Sequence, residues 1–185
     1  MAGRDEAVKI LLKALNAAPA HTLEAAPLAM RAGLEIAELE SLCRECNRAG
    51  PIFCLSGPNL SLERPLDLLD EEFIFRNAKG SGRVEVAGVV DSTNSVFLNL
   101  AGQLANGDAL LAELQLAGRG TRARTWLSPP GCQVTLSLAH YFADLEEVRG
   151  LTVATGVVLA QLLHDLGIAG VKLRWPNDLC LNGRK

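Results

Sequence analysis

Apolar side chains recur at helical spacing through residues 6–16 (EAVKILLKALN), and that period predicts a first helix. Leu23 to Arg31 suits a short second helix despite Pro27, and Ala32-Gly33-Leu34 reads as a turn. Glu35 to Arg48 predicts a third helix with Ile36, Leu39 and Leu42 or Cys43 facing inward, stopped by Gly50-Pro51. IFCLSGPNLSL (52–62) predicts two short strands around a Ser-Gly-Pro-Asn turn. Three small helices followed by a hairpin outline a winged helix-turn-helix over residues 1–66.

Arg64-Pro65, the acidic run DLLDEE (67–72) and the loop NAKGSGR (77–83) suggest a connector over residues 67–83. From residue 84 the pattern alternates strand and helix, giving an α+β chain as a whole. Val84–Val90 predicts a strand, and Ser92 or Thr93 can cap a helix running to about Leu104. Ala109–Gln115 predicts a strand, 116–131 a long Gly/Arg/Pro loop, and QVTLSLA (133–139) a half-buried strand. Glu146–Leu166 predicts an apolar helix ended by Gly167, and Val171–Trp175 a strand. Leu179-Cys180-Leu181 predicts another short strand, and Asn182-Gly183 is the strongest two-residue hairpin signal. Only Arg184 and Lys185 follow that turn, so the sequence reads as part of a longer chain.

Composition narrows the class. The chain is 49% hydrophobic and 21% charged with a formal net charge of -3, which argues against a polyanion-binding surface over the whole molecule. The N-terminus lacks an apolar stretch followed by a cleavage site, and the most apolar segment, Leu151–Leu166, is too short for a membrane span. A cytoplasmic protein with reduced cysteines is expected. Cys43 and Cys46 form a C-x-x-C inside a helical pattern, and they read as thiols on one helix face rather than as zinc ligands.

Three stretches could carry chemistry. AGRGTRARTWLSPPG (117–131) sets Arg119, Arg122 and Arg124 among glycines ahead of Trp126. Glycines let backbone N–H groups approach an anion, and arginines offer paired donors to phosphate or carboxylate; a solvated basic loop is the plainer alternative. Neither the GxxxxGK[ST] nor the GxGxxG spacing is present. Asp91-Ser92-Thr93-Asn94 joins a strand to a helix, with polar groups suited to a small ligand or simply to capping. Trp175-Pro176-Asn177-Asp178 ends another strand, where Asp178 could meet a cation or close an Asx turn. His21, His140 and His164 form no acid–base constellation, and G-x-S-x-G is missing.

In order and spacing, DSTN (91–94), AELQLAGRG (112–120), the continuation to SPPG (131) and KLRWPNDLCLNGRK (172–185) closely resemble the biotin–protein ligases. With the helix-turn-helix in front, the chain is similar to their bifunctional ligase/repressor class. The resemblance implies a catalytic domain related to class II aminoacyl-tRNA synthetases and lipoate ligases, here incomplete over residues 84–185. It implies biotin, ATP and Mg²⁺, with biotinyl-5′-adenylate formed first. A lysine of the biotin carboxyl carrier protein of acetyl-CoA carboxylase then takes the biotin. By position Ser92, Thr93, Asn94 and Gln115 meet the ureido ring. Gly118, Arg119, Gly120, Thr121, Arg122 and Trp126 belong to the loop closing over biotin and the adenylate. Lys185 hydrogen-bonds biotin, and Asn177 and Asp178 belong to the PND motif, with Asp178 a weaker catalytic candidate beside Lys185 and Arg119. The family also implies further sheet, a small C-terminal domain and side-by-side dimers.

Two departures from the family pattern carry expectations. Thr121 stands where the family loop usually has arginine after GRG, so looser retention of the adenylate is expected. Residues 1–60 hold six basic side chains (Arg4, Lys9, Lys13, Arg31, Arg44, Arg48) against seven acidic ones (Asp5, Glu6, Glu24, Glu35, Glu38, Glu40, Glu45). Phosphate contacts dominate non-specific DNA affinity, so DNA binding is expected to be weak or lost. A non-catalytic biotin-binding regulator and a lipoate-type ligase remain the alternatives.

Overall fold

The computed structural model describes residues 2–80, 82–118, 120, 126, 128–144 and 146–184. These divide into two compact units, Met1–His140 and Tyr141–Lys185.

The first unit begins with α1 (Ala2–Ala17), whose Ala7, Val8, Leu11, Leu12 and Leu15 form a continuous buried stripe. The sequence assigned residue 23 onward to a helix, but β1 (Thr22–Glu24) pairs antiparallel with β3 (Asn59–Leu62), and α2 starts only at Ala25 (Ala25–Arg31). Tertiary pairing overrides a weak local preference there. In α3 (Ile36–Cys46), Leu39, Leu42, Cys43 and Cys46 are buried, and the Glu35 N–H donates to Glu38 Oε2 at 2.8 Å. Ile36, expected to face inward, is exposed. Asn47 mimics a strand neighbour: its Oδ1 accepts from Ile52 N and Phe53 N, and its Nδ2 donates to Phe53 O. It thereby starts β2 (Phe53–Ser56), which turns back into β3.

A short helix, α4 (Glu71–Asn77), forms within the stretch expected to be a connector. The Asp70 side chain accepts from Phe73 N at 2.8 Å, and this N-cap starts a helix too short to leave a clear period. Next come β4 (Val84–Val90), α5 (Thr93–Asn99) and β5 (Ala109–Gln115), with β4 and β5 parallel and both strands falling where the pattern put them. α5 stops at Asn99 rather than near Leu104, because the chain turns through Gly102 with φ +88°. β6 (Thr135–Leu138) pairs antiparallel with β5, giving a mixed sheet in the order β4-β5-β6.

One hydrophobic core runs from α1, α2 and α3 through the hairpin to Val89 of β4 and Leu114 of β5. Where α1 meets β4, Asp5 Oδ1 accepts from both Gly88 N (2.6 Å) and Val89 N (3.0 Å). The open edge of β4 is thus covered rather than left free. Lower down, the Asp108 carboxylate gathers Ala105 N and Arg83 N at 2.8 Å each and fixes the turn into β5 against the start of β4.

The second unit holds α6 (Leu151–Asp165) and the antiparallel pair β7 (Val171–Arg174) and β8 (Asp178–Leu181). α6 begins five residues later than its apolar pattern suggested. Gly150 sits at φ +78°, and the Asp144 side chain already accepts from Glu146 N and Glu147 N in a separate turn. Gly156 lies so close to β7 that a Cβ would meet Leu173 Cδ1 at 2.5 Å. The Trp175–Pro176 bond is cis. Asn182 (φ 52°) and Gly183 (φ 79°) adopt the positive dihedrals of the predicted tight turn, and Leu181 and Arg184 exchange both backbone hydrogen bonds across it.

Candidate functional site

The parallel ladder does not stop at the last strand residues. Leu116 N donates to Val90 O at 3.0 Å and Ala117 N to Asp91 O at 2.8 Å, which brings Asp91 and Ala117, the first residues of DSTN and AGRG, side by side beyond the sheet. This is the carboxyl end of two adjacent parallel strands, where open α/β sheets bind their ligands.

Here Thr93 and Gln115 are joined, and both are buried. Gln115 Oε1 accepts from Thr93 N at 2.8 Å and from Thr93 Oγ1 at 3.3 Å. Gln115 Nε2 donates to Ser128 Oγ at 3.5 Å, and Ser137 Oγ donates to Thr93 Oγ1 at 2.9 Å. Ser92 is buried as well; its Oγ accepts from Ser95 N at 3.4 Å as the α5 cap. Gly118 lies over the amide: a Cβ there would come within 3.1 Å of Gln115 Nε2 and of Trp126 Cδ1. Glycine is the residue that permits this approach.

Of the residues singled out from sequence, the structure therefore gathers Ser92, Thr93, Gln115, Gly118 and Trp126 at one end of the sheet. Asn94 is exposed on α5, Gly120 is half-buried, and Trp126 is 52% exposed. Arg119, Thr121, Arg122 and Lys185 lie outside the described residues. Asn177 and Asp178 sit at the β7–β8 turn of the second unit, Asn177 exposed and Asp178 half-buried. Ser128 and Ser137 were missed. Ser137 was findable as a polar position in the alternating QVTLSLA strand, whereas Ser128 reads from sequence as a turn residue only.

Cys43 and Cys46 are buried thiols of the core, both pushed up to about 12, chiefly by burial. Among the described residues no group of three or more His, Cys, Asp or Glu is placed to hold a metal ion. No described helix is long and apolar enough to cross a membrane.

The described residues thus give a mixed α/β fold whose sheet carries a hydroxyl–amide cluster beside Gly118, at the carboxyl end of its parallel strand pair. The model of the biotin/lipoate A/B protein ligase family matches residues 86–185, and the chain belongs to that family. The bifunctional ligase/repressor BirA of Escherichia coli (strain K12) is 42% identical over 138 residues, which cover 72% of this chain and 42% of that protein. The biotin–[acetyl-CoA-carboxylase] ligase of Paracoccus denitrificans is 38% identical over 102 residues, covering 51% of this chain and 40% of the relative. The chain thus spans less than half the length of these curated relatives. Among solved structures, a biotin protein ligase from Leishmania major in complex with biotin is 25% identical with a TM-score of 0.46, covering 54% of this chain and 46% of that one.

Proposed function

We propose that the protein is an ATP-dependent biotin–protein ligase and that the Thr93–Gln115 cluster holds the ureido ring of biotin. The observation that carries this reading is the cluster itself. A buried backbone N–H, an amide and three hydroxyls converge beside Gly118 in a member of the family. A cyclic urea offers two N–H donors and one carbonyl acceptor, and buried hydroxyl and amide groups complement such a ring at short range.

Two transfers would follow. The biotin carboxylate attacks the α-phosphorus of ATP, forming a C–O–P anhydride and releasing pyrophosphate. The neutral ε-amine of a carrier-protein lysine then attacks the acyl carbon, AMP leaves, and the amine proton passes to solvent or a nearby base. Both steps ask for positioning and charge neutralisation rather than a protein nucleophile. Arg119, Arg122 and Lys185 would supply that charge. Asp178 would give one carboxylate to Mg²⁺ arriving with the ATP phosphates, since that ion is commonly held by one or two carboxylates and the substrate. Thr121 removes one charge-assisted donor, worth about 1.5–3 kcal/mol where fully engaged. Thr121→Arg should therefore slow release of the adenylate; equal release rates would end that idea.

Residues 1–66 act in this reading as a winged helix-turn-helix with little DNA affinity, 67–83 as its connector and 84–185 as ligase sequence. The partner is the biotin carboxyl carrier protein of acetyl-CoA carboxylase. The test is direct: incubate the full-length protein with ATP, biotin and an apo carrier domain, and follow the carrier's mass. A gain of one biotin is expected. No adenylate and no biotinylated carrier would overturn the reading.

A further inference from the structure

Residues 64–69, which lead into the expected connector, are clamped from two sides. Leu66 N donates to Asn16 Oδ1 at 2.9 Å and Asn16 Nδ2 donates back to Leu66 O at 2.8 Å, so the end of α1 grips the chain as a strand neighbour would. Leu69 N donates to Glu113 Oε1 of β5 at 2.7 Å, and Leu66 itself is buried in the core. From this fixed strap the Arg64 side chain reaches the far end of the 116–131 loop. Its Nη2 donates to Pro130 O at 3.3 Å and to Cys132 Sγ at 2.9 Å, one N–H for each acceptor. Between them Gly131 (φ +63°) lies so close that a Cβ would come within 3.1 Å of Asp67 N and of Leu66 Cβ. The two ends of the loop therefore have different supports. The sheet ladder holds Leu116 and Ala117, whereas residues 64–67 hold Pro130, Gly131 and Cys132.

We propose that Arg64 is a positioning residue for the ligase reaction: it fixes the return of the 116–131 loop and thereby prolongs the life of the bound adenylate. The proposal rests on the reading above, in which Arg119 and Arg122 of this loop meet that intermediate. Fixing both ends of a loop removes conformational freedom before the ligand arrives, so less is lost on binding. Releasing one end restores that freedom and speeds escape of the ligand. The coupling is reciprocal: a contact that favours the bound adenylate is itself favoured by it. Cys132 reports on the contact, because its sulfur accepts the Arg64 N–H, and the exposed Cys54 of β2 serves as a control thiol on the same molecule.

The test compares the full-length protein with its Arg64→Ala and Arg64→Lys variants, each supplied with biotin, ATP and Mg²⁺. Release of the adenylate, followed by chase with unlabelled biotin, should be about three- to tenfold faster in Arg64→Ala, the effect of losing one exposed hydrogen-bonded contact. Arg64→Lys keeps a cationic N–H donor and should release within about twofold of the wild type. In the wild type, biotin and ATP should slow alkylation of Cys132 by iodoacetamide relative to Cys54, read by peptide mass, and Arg64→Ala should lose that protection. A merely structural role would lower the urea midpoint of both variants and would not be rescued by lysine. Equal release from Arg64→Ala and the wild type, or Cys132 alkylation indifferent to ligand, overturns the Arg64 role and leaves the ligase reading standing. A wild type that forms no adenylate overturns both.

Discussion

Two kinds of buried group give this chain its residue-scale behaviour. Cys43 and Cys46 are held up to about 12 mainly by burial, whereas Cys54 and Cys132 are exposed. The thiolate is the reactive form, so a thiol-specific reagent at pH 8 should label Cys54 and Cys132 in the native state and reach Cys43 and Cys46 only in denaturant. Native modification of Cys46, read by peptide mass, would contradict this burial. Glu113 on β5 accepts from Leu69 N at 2.7 Å, yet its pKa is raised, first of all by burial. A raised folded-state pKa means that the folded chain holds this proton more tightly than the unfolded chain. The resulting stability is fully present below the unfolded value of about 4.5 and is lost as pH rises through the raised folded value. Asp108 runs the other way. The backbone N–H of Ala105, then that of Arg83, holds its carboxyl below the usual 3.8, so its contribution is present above that value and lost on acidification through the folded value. Urea midpoints should therefore show Glu113→Gln gaining on the wild type as pH climbs above 4.5. Asp108→Asn should lose to the wild type at neutral pH and close the gap in strong acid. Parallel pH curves for wild type and Glu113→Gln would rule out the effect.

At the scale of elements, the junction of α1 with β4 depends on one glycine. A Cβ at Gly88 would lie 2.9 Å from Asp5 O and from Lys9 N, and these backbone atoms cannot swing aside. Gly88→Ala should cost about 1–3 kcal/mol by overpacking and should loosen the Asp5 cap on the sheet edge. Unchanged urea stability together with unchanged amide exchange at Val89 would refute this. The same junction shows where periodicity stops being informative. Val84–Val90 was legible as a strand because its valines mark it locally, and Ala109–Gln115 because a short run of mixed polarity lies between two loop stretches. Nothing local says that Asp5 caps β4, because that bond joins residues more than eighty positions apart. β1 and α4 escaped for related reasons, one defined by its partner strand and the other by a single cap.

For the molecule as a whole, charge decides the behaviour toward nucleic acid. The near balance of basic and acidic side chains in residues 1–60 is tightened by ion pairing: Arg4 meets Glu45 at 2.7 Å, and Arg44 meets Glu40 at 3.6 Å. Both pairs are partly exposed and add little stability, but they draw two of the six basic groups away from a phosphate backbone. A low-salt gel shift with duplex DNA should show binding only at high protein concentration; a tight, salt-sensitive complex would contradict this. The sequence by itself determined the helix and strand periods, the tight Asn182-Gly183 turn and the family motifs, because each is written in neighbouring residues. Only the tertiary structure decided that Ser128 and Ser137 join Thr93 and Gln115, and that one core runs from the first helix to the central strand. Such contacts arise where distant segments meet, and no single segment contains them.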